Sequence, residues 1–262
     1  MTDGPGALHW RLHLDAAAAG SWNMALDHAL AETLRVGTGV VRFYAWDPFT
    51  ISFGRNEPAR GLYDVAAAGR EGLAFVRRPT GGRAVLHAHE VTYCVVAPVR
   101  TLGGVRAAYR RINEGLVEGL CALGVPAEVS AGGAALAPDA GPCFQLPAPG
   151  EVVLEARKLV GSAQVRVGQA LLQHGSVILR GDQSPLTRLT GRGLDDPVPP
   201  ATVEDAMGET MDPHRVAEAL ARGLRLALGG EWDEGSYLPG EMEAARRLQG
   251  ERYGRETWTW RR

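Results

Sequence analysis

The stretch RKLVGSAQVRVGQALLQHGSVIL, residues 157–179, decides the fold class of this chain. Residues 159–167 and 170–179 have the apolar and β-branched composition of two strands. Gly168 joins them, and glycine at that point supplies the backbone freedom of a short connection. We therefore predict two consecutive strands that meet through Gly168.

Strand and helix patterns are mixed over the rest of the chain. Further strands are predicted at residues 40–46, 50–53, 73–77, 91–97 and 151–154, with a Gly-Gly turn at 81–82. Helices are predicted from a cap at Ser21, over residues 104–123, after Asp212-Pro213 and near residues 241–252. Because strict βαβ alternation is absent, we predict an α+β fold with a mixed, largely antiparallel sheet flanked by helices.

Composition favours an intracellular enzyme. The 262 residues are 45% hydrophobic and carry 28 basic and 30 acidic side chains, without long runs of one charge, which argues against a nucleic-acid surface. The start, MTDGPGALHW, does not resemble a signal peptide, and no apolar stretch has the length of a membrane span. Three widely spaced cysteines without a CxxC pair favour reduced thiols over a disulfide framework or a zinc site. We expect a cytoplasmic monomer without a metal.

The three cysteines differ in their surroundings. Cys94 lies in the strand VTYCVVAP and Cys121 lies beside Leu120 in a helix, so both are interpreted as small buried hydrophobic residues. Cys143 follows Gly141-Pro142 in a long loop rich in Ala, Gly and Pro. Loops held by a scaffold often carry nucleophiles, so Cys143 is either a functional thiol or an incidental one.

Lys158 is the second candidate. It begins a strand that continues with Gly161-Ser162-Ala163, and small residues inside a strand mark the close approach of a ligand or another backbone. A lysine beside such a surface can hold a thiolate or polarise an acyl carbonyl. The alternative is a lysine that faces solvent at a hairpin.

Two more segments carry candidate residues. In RRPTGGRAVLH, residues 77–87, Gly81-Gly82 offers backbone N–H groups to an oxyanion or a phosphate; the alternative is a plain hairpin turn with arginines on its outer face. In QHGSVIL, residues 173–179, His174 is either a base or a structural histidine. His87 and His89 have the same two interpretations.

In their order along the chain, these segments resemble the lipoate–protein ligase and octanoyltransferase family. The resemblance rests on SWNMALDHAL (21–30), VRFYAWDPFTISFGRNEP (41–58), FVRRPTGGRAVLHAHEVTYCVV (75–96), PCFQLPAPGEVVLEARKLVGSAQVR (142–166) and LLQHGSVIL (171–179). It implies a biotin/lipoate protein ligase-like catalytic domain, which we place at residues 1–230. Residues 231–262 would then form a short helical extension packed on it.

The resemblance also implies a reaction. Octanoyltransferases of the LipM type carry a nucleophilic cysteine in a CF-x-x-P segment upstream of the RK-x-x-GSAQ lysine, and Cys143-Phe144 and Lys158 occupy those places here. Such enzymes move octanoyl from acyl carrier protein to a lysine of a lipoyl domain, often that of the glycine-cleavage H protein, without ATP or another cofactor. The implied catalytic residues are Cys143 and Lys158. The implied substrate-binding residues are Arg78, Thr80, Gly81, Gly82, Arg83, His87, Gly161, Ser162, Ala163 and His174.

Three other functions remain open at this stage. One is an ATP-dependent lipoate–protein ligase, another is a transferase that takes its acyl group from a lipoyl-domain amide, and the third is a non-catalytic binding module. Two departures from the LipM pattern bear on the choice. Ala88 stands where those sequences usually have Asp, and Gly54-Arg55-Asn56 is closer to the ligases.

Overall fold

The computed structural model describes residues 7–131, 149–190 and 199–262. Its strands are β1 His9–Leu14, β2 Thr38–Tyr44, β3 Thr50–Phe53, β4 Ala74–Arg77, β5 Val85–His87, β6 Glu90–Pro98, β7 Glu128–Val129, β8 Val152–Leu154, β9 Arg157–Val167, β10 Ala170–Ile178 and β11 Glu231–Glu234. Its helices are α1 Gly20–Glu32, α2 Val65–Arg70, α3 Val105–Ala122, α4 Ser184–Thr190, α5 Val203–Met207, α6 Pro213–Leu228, α7 Pro239–Leu248 and α8 Glu256–Thr259, with a π-helical turn over Gln249–Tyr253.

The strands form a large sheet in the order β11-β1-β2-β6-β10-β9-β8-β7 and a small sheet in the order β4-β3-β5. Parallel pairing is confined to β11–β1, β1–β2 and β3–β4, and the other described pairs are antiparallel. The prediction of a mixed, largely antiparallel α+β fold is therefore confirmed. β9 and β10 form the hairpin expected from the sequence, with Gly168 in its turn at a φ of 56°.

Helices cover both faces of the large sheet, which explains why β6 and β10 are buried along almost their whole length. Alternation along β6 sends Tyr93 and Val95 into the core with α3 and α6, and it sends Cys94 and Val96 into the core with α1 and α7. Glycines let α3 and α6 approach closely, because a Cβ on Gly223 would lie 2.1 Å from the Gly115 carbonyl oxygen.

One local prediction and one alternative interpretation are wrong. Ser21 does not cap α1, since the helix begins at Gly20 after the extended Ala19 and Ser21 lies in the first turn. The Gly81-Gly82 segment is not a plain hairpin turn either. β4 and β5 both pair with β3, on opposite sides, so the chain crosses from one edge of the small sheet to the other between them.

The C-terminal residues pack closely against the rest of the structure. β11 continues the large sheet beside β1, and Trp232 stacks on Trp10 with ring centroids 5.2 Å apart. α7 packs along α1, and Arg11 donates to the Glu241 carboxylate at 3.0 Å. The division at residue 230 stays a prediction. Among the described helices, none combines the length and the apolar character that a bilayer crossing requires.

Candidate active site

A pocket lies between the large sheet, the small sheet and α1. The large sheet contributes residues from the ends of β2 and β6 and from the centres of β9 and β10, and the small sheet contributes residues on and before β5. The lining residues are Met24, Tyr44, Trp46, Arg78, Gly82, Val85, His87, Thr92, Gly161, Ser162, Ala163, His174, Gly175 and Ser176. The pocket is therefore built where the TGGR segment passes over the β9–β10 hairpin.

Most of the residues implied by the resemblance meet at this pocket. Seven of them line it: Arg78, Gly82, His87, Gly161, Ser162, Ala163 and His174. Thr80 does not line it but contacts a lining residue, because its hydroxyl lies 2.8 Å from His174 Nε2. Gly81 and Arg83 touch it through Arg78, whose guanidinium donates to both of their carbonyl oxygens at 3.0 and 2.8 Å.

Lys158 lies three residues before Gly161 on β9 and is only 3% exposed. Its Nζ donates to Glu151 Oε1 at 2.7 Å, and Glu151 comes directly before β8. β8 and β9 are joined by Glu155 and Ala156, both at positive φ, and the β8–β9 register shifts between Val152 and Val153. The interpretation of Lys158 as a solvent-facing lysine is therefore wrong.

The small residues of β9 coincide with a close approach between strands and with the pocket wall. A Cβ on Gly175 would lie 2.3 Å from the Gly161 carbonyl oxygen and 2.8 Å from Tyr93 Cε1, so only glycine fits there. The Ser162 hydroxyl lies 2.7 Å from the Tyr93 hydroxyl, on the side of the sheet that faces α3. A bulkier segment at 161–163 would leave less room for a ligand.

His174 belongs to a buried polar network below the TGGR segment. Its Nδ1 lies 3.0 Å from Asp27 Oδ2 on α1, and Asp27 also accepts from Arg42 Nη1 at 2.7 Å and from the Tyr44 hydroxyl at 2.8 Å. Burial alone would raise the pKa of Asp27, but Arg42 and the hydrogen bonds outweigh it and the pKa is lowered. Burial lowers the pKa of His174 in spite of Asp27, so its ring is neutral near pH 7.

His87 occupies the other end of the pocket and is equally constrained. Its ring stacks on Trp46 at 3.9 Å, its Nε2 lies 2.6 Å from the Ser52 hydroxyl, and its Nδ1 lies 2.7 Å from Glu90 Oε1. His89, by contrast, points away from this network and meets Phe49 edge to face. The two histidines of the HAH segment therefore have different surroundings.

Arg77 and Arg78 are buried, so the interpretation of these residues as arginines on an outer face is wrong. Arg77 donates to the carbonyl oxygens of Gly54 and Thr259 at 2.6 and 2.9 Å, which ties β4 to the C-terminal helix. Arg78 Nη1 donates to the Ser52 hydroxyl at 2.7 Å, while Nη2 binds the carbonyls of the TGGR segment. Arg78 thus fixes the shape of that segment from inside.

The described cysteines are not at the pocket, and Cys143 lies outside the described residues. Cys94 is buried as predicted, and burial raises the pKa of its thiol. The prediction of a buried Cys121 is wrong: it lies one residue beyond the apolar stripe of α3, is exposed, and donates to the Ala127 carbonyl at 3.5 Å. Within residues 7–131, 149–190 and 199–262, no three His, Cys, Asp or Glu side chains are grouped to hold a metal ion.

Sequence reasoning missed Asp27, Arg42 and Glu151, the charged residues that hold His174 and Lys158. Asp27 had a visible signal, because it directly follows the apolar run Met24-Ala25-Leu26 in a predicted helix. A charged residue at a core position of a helix requires a buried partner. Glu151 had no comparable signal, since its contact with Lys158 depends on the irregular β8–β9 register.

Comparison with known proteins agrees with this fold and pocket. The family model of the lipoyl protein ligase A/B catalytic domain matches residues 19–225. The chain is 38% identical to octanoyltransferase LipM of Kyrpidia tusciae, over 97% of this chain and 99% of that one. It is 36% identical to octanoyltransferase LipM of Moorella thermoacetica, over 97% and 98% of the two chains.

Solved structures show the same architecture. A lipoate-protein ligase A bound with ATP superposes with a TM-score of 0.80 at 24% identity, over 97% of this chain and 99% of that one. A bi-partite lipoate protein ligase from Thermoplasma acidophilum superposes with a TM-score of 0.78 at 23% identity, over 97% and 96%. The chain belongs to the lipoyl protein ligase A/B catalytic domain family. The fold and family predicted from the sequence are confirmed.

Proposed function

We propose that this protein is an octanoyltransferase that acts through a Cys143 thioester. It takes octanoyl from acyl carrier protein and passes it to a lipoyl-domain lysine, for example that of a glycine-cleavage H protein. The observation that carries the proposal is the buried Lys158, which is paired with Glu151 and lies on the same strand as the pocket-lining Gly161-Ser162-Ala163. Relatives named octanoyltransferase LipM over nearly the whole chain support the acyl group and the reaction type.

The first half-reaction exchanges one thioester for another. The Cys143 thiolate attacks the carrier thioester carbonyl, the tetrahedral oxyanion collapses, and the carrier sulfur leaves and takes up a proton. The Lys158 ammonium supplies positive charge beside the thiolate and the oxyanion. Thioester exchange is nearly isoenergetic, so this half-reaction requires no ATP.

The second half-reaction forms an amide. The neutral amine of the acceptor lysine attacks the acyl-enzyme, the new C–N bond forms, and the Cys143 sulfur leaves as a thiolate. The amine loses one proton in this step. We assign its uptake to Lys158, which became neutral when its ammonium protonated the departing carrier sulfur and now becomes an ammonium again. Thioester to amide is downhill, so the acyl transfer is driven without a cofactor.

The pocket suits a medium-length acyl chain. Its wall is largely apolar, with Met24 from α1, Tyr44 and Trp46 from the end of β2, and Val85 from β5. Burial of methylene groups against such a wall contributes about 0.8 kcal/mol for each CH₂, which favours a chain of several carbons over acetyl. Polar lining residues are engaged in the His87 and His174 networks and leave the apolar surface to the chain.

The test is an intact-mass measurement of the protein after incubation with octanoyl-acyl carrier protein. We expect an octanoyl adduct that hydroxylamine removes, that is absent in Cys143→Ala and that persists in Cys121→Ala. The Cys121 variant is the matched control because it removes an exposed thiol that the mechanism does not use. No adduct on the wild type, or an adduct that survives Cys143→Ala, would overturn the mechanism.

The same preparation separates the alternatives. A ligase would release pyrophosphate from lipoate and ATP and would retain that activity in Cys143→Ala. A lipoyl-domain amidotransferase would become acylated from an octanoylated lipoyl domain and not from acyl carrier protein. A cytoplasmic location and a monomeric state remain predictions from the sequence.

A further inference from the structure

Three side chains from separate elements connect α1 to the TGGR segment through the large sheet. Asp27 lies on α1, His174 on β10 and Thr80 in the segment that crosses the small sheet. Asp27 Oδ2 lies 3.0 Å from His174 Nδ1, and His174 Nε2 lies 2.8 Å from the Thr80 hydroxyl. All three are buried, and Asp27 and Thr80 have no exposed surface.

The hydrogen bonds that connect Asp27, His174 and Thr80 can have only one direction. Asp27 is ionised, because Arg42 and Tyr44 donate to its two oxygens, so it can only accept from His174. His174 therefore carries its proton on Nδ1 and presents a lone pair on Nε2 while the ring is neutral. The Thr80 hydroxyl then donates to Nε2. Arg42, held also by Asp15 and Asn23, fixes Asp27 from behind.

The rest of the TGGR segment has contacts that depend on the position of Thr80. The Thr80 carbonyl accepts from the Arg55 N–H at 2.7 Å, and a Cβ on Gly54 would lie 1.8 Å from the Gly82 carbonyl oxygen. The TGGR segment thus packs against Gly54 and Arg55, the residues that follow β3, with no space between the two backbones. His174 supplies the only hydrogen bond that the structure gives to the Thr80 hydroxyl among the described residues.

We propose that Thr80, His174 and Asp27 form a positioning relay that holds the TGGR segment against β10 and so sets the depth of the acyl pocket. The inference rests on the proposed octanoyl transfer, since it concerns how that acyl chain is accommodated. His174 is then a positioning residue and not a base. Gly82, which lines the pocket from the TGGR segment, moves with Thr80 when the relay is broken. Arg78, which also lines the pocket, follows through its hydrogen bonds to the Gly81 and Arg83 carbonyls.

The test compares Thr80→Val with Thr80→Ser. Valine has nearly the shape of threonine but cannot donate, whereas serine keeps the hydroxyl. We expect Thr80→Val to lower kcat/KM for octanoyl-acyl carrier protein about 10- to 100-fold, in line with the cost of a misplaced binding wall. We expect the rate with a butyryl carrier, whose chain is too short to fill the pocket, to fall less than 3-fold.

A rescue variant and a control variant separate the loss of positioning from general damage to the fold. Thr80→Ser should restore most of the octanoyl preference, and Thr210→Val, an exposed threonine in the loop after α5, should leave both rates unchanged. Equal loss for octanoyl and butyryl, or no loss in Thr80→Val, would overturn the relay. If the wild type itself forms no octanoyl adduct, the proposed function fails, and the relay is then decided by the following measurement.

Nitrogen-15 NMR measures the protonation and hydrogen bonding of the His174 ring nitrogens without any substrate. In the wild type near pH 7 we expect His174 Nδ1 to be protonated and Nε2 to be unprotonated and hydrogen-bonded. Thr80→Val should shift the Nε2 resonance toward that of a free imine nitrogen, and His174→Gln identifies the signal. A protonated Nε2 in the wild type, or an unchanged resonance in Thr80→Val, would contradict the proposal.

Discussion

Lys158 Nζ and Glu151 Oε1 lie 2.7 Å apart in the interior, where β8 and β9 lose regular register and three residues before the pocket-lining part of β9. In regular strand pairing, a lysine side chain could adopt several rotamers, and the position of its ammonium would vary. Here the carboxylate of Glu151, directly before the neighbouring strand β8, fixes it. We interpret Glu151 as the residue that fixes the position of the Lys158 ammonium.

Glu151→Gln should lower both stability and transfer. The amide keeps the shape and one acceptor, but the buried ammonium loses its opposite charge. We expect the free energy of unfolding to fall by about 1–3 kcal/mol, the range for hydrogen bonds to charged groups. Urea unfolding measures this. Glu155→Gln, on the exposed turn after β8, is the matched control and should change stability by less than about 0.5 kcal/mol.

Lys158→Met should abolish most of the acyl transfer while preserving the pocket. Methionine replaces the aliphatic stem but removes the ammonium, and positioned acid–base groups contribute about 10²–10⁴-fold to rate. The measurement is single-turnover formation of the octanoyl adduct on Cys143. Lys158→Arg keeps the charge but not a transferable proton. A rate in Lys158→Met within threefold of wild type would remove Lys158 from the mechanism.

Ala163→Leu should shorten the acyl chain that the protein accepts. Ala163 lines the pocket on β9 opposite His174, so three added carbons fill space that the chain would occupy. We expect the preference to move from octanoyl toward butyryl carriers by at least about tenfold, since each lost methylene contact is worth about 0.8 kcal/mol. The comparison is between octanoyl and butyryl adduct rates. Ala66→Leu, exposed on α2, should leave the ratio unchanged.

The central part of the fold could be predicted because its pattern is local. Residues 50–53, the hairpin around Gly168 and the helix after Gly104 all carry a complete apolar period within their own sequence. β11 was missed because it is the edge strand of the large sheet, and β1, which lies between β11 and β2, was missed with it. β11 reads EWDE, and its one large apolar residue, Trp232, is only half-buried, between Trp10 and the Arg225 guanidinium.

The lining residues of the pocket could be predicted from the sequence, but the contacts that hold them in place could not. The family resemblance located Arg78, Gly82, Gly161 to Ala163 and His174, and these do converge on one pocket. The sequence did not indicate that Asp27 and Glu151 would pair with His174 and Lys158. Those contacts join residues 147 and 7 positions apart through the packing of α1 and the irregular β8–β9 register.

His13 should make stability depend on pH below neutrality. Burial lowers the pKa of His13 from 6.5 to about 4, and its ring stacks on Tyr237 at 4.1 Å. Between those two values the unfolded chain binds the extra proton, so the free energy of unfolding falls as the pH falls. Between pH 7 and pH 4, the free energy of unfolding should fall by about 1–2 kcal/mol less in His13→Phe than in the wild type. Partial solvation of the ring keeps this difference below the full value of the pKa shift.

The measurement is urea unfolding of both proteins at pH 7 and at pH 4, with the difference taken within each protein. Constant packing effects of the phenyl ring then cancel. The pKa of His174 is lowered in both proteins, so some pH dependence remains in the variant. Identical differences for the two proteins would show that the His13 ring is protonated in the folded state.

Gly175→Ala tests the close approach of β9 and β10 that forms the pocket wall. The added Cβ would lie 2.3 Å from the Gly161 carbonyl oxygen, a backbone atom that cannot rotate away, so the two strands must separate. We expect a loss of about 1–3 kcal/mol in stability, as for other overpacked sites, together with reduced octanoyl transfer. Gly69→Ala is the matched control, because nothing lies within 4 Å of its added Cβ on helix α2. That variant should gain about 0.5–1 kcal/mol from helix propensity and keep full activity. Equal stability of the two variants would mean that the strands accommodate the methyl group and that the tight contact does not define the pocket.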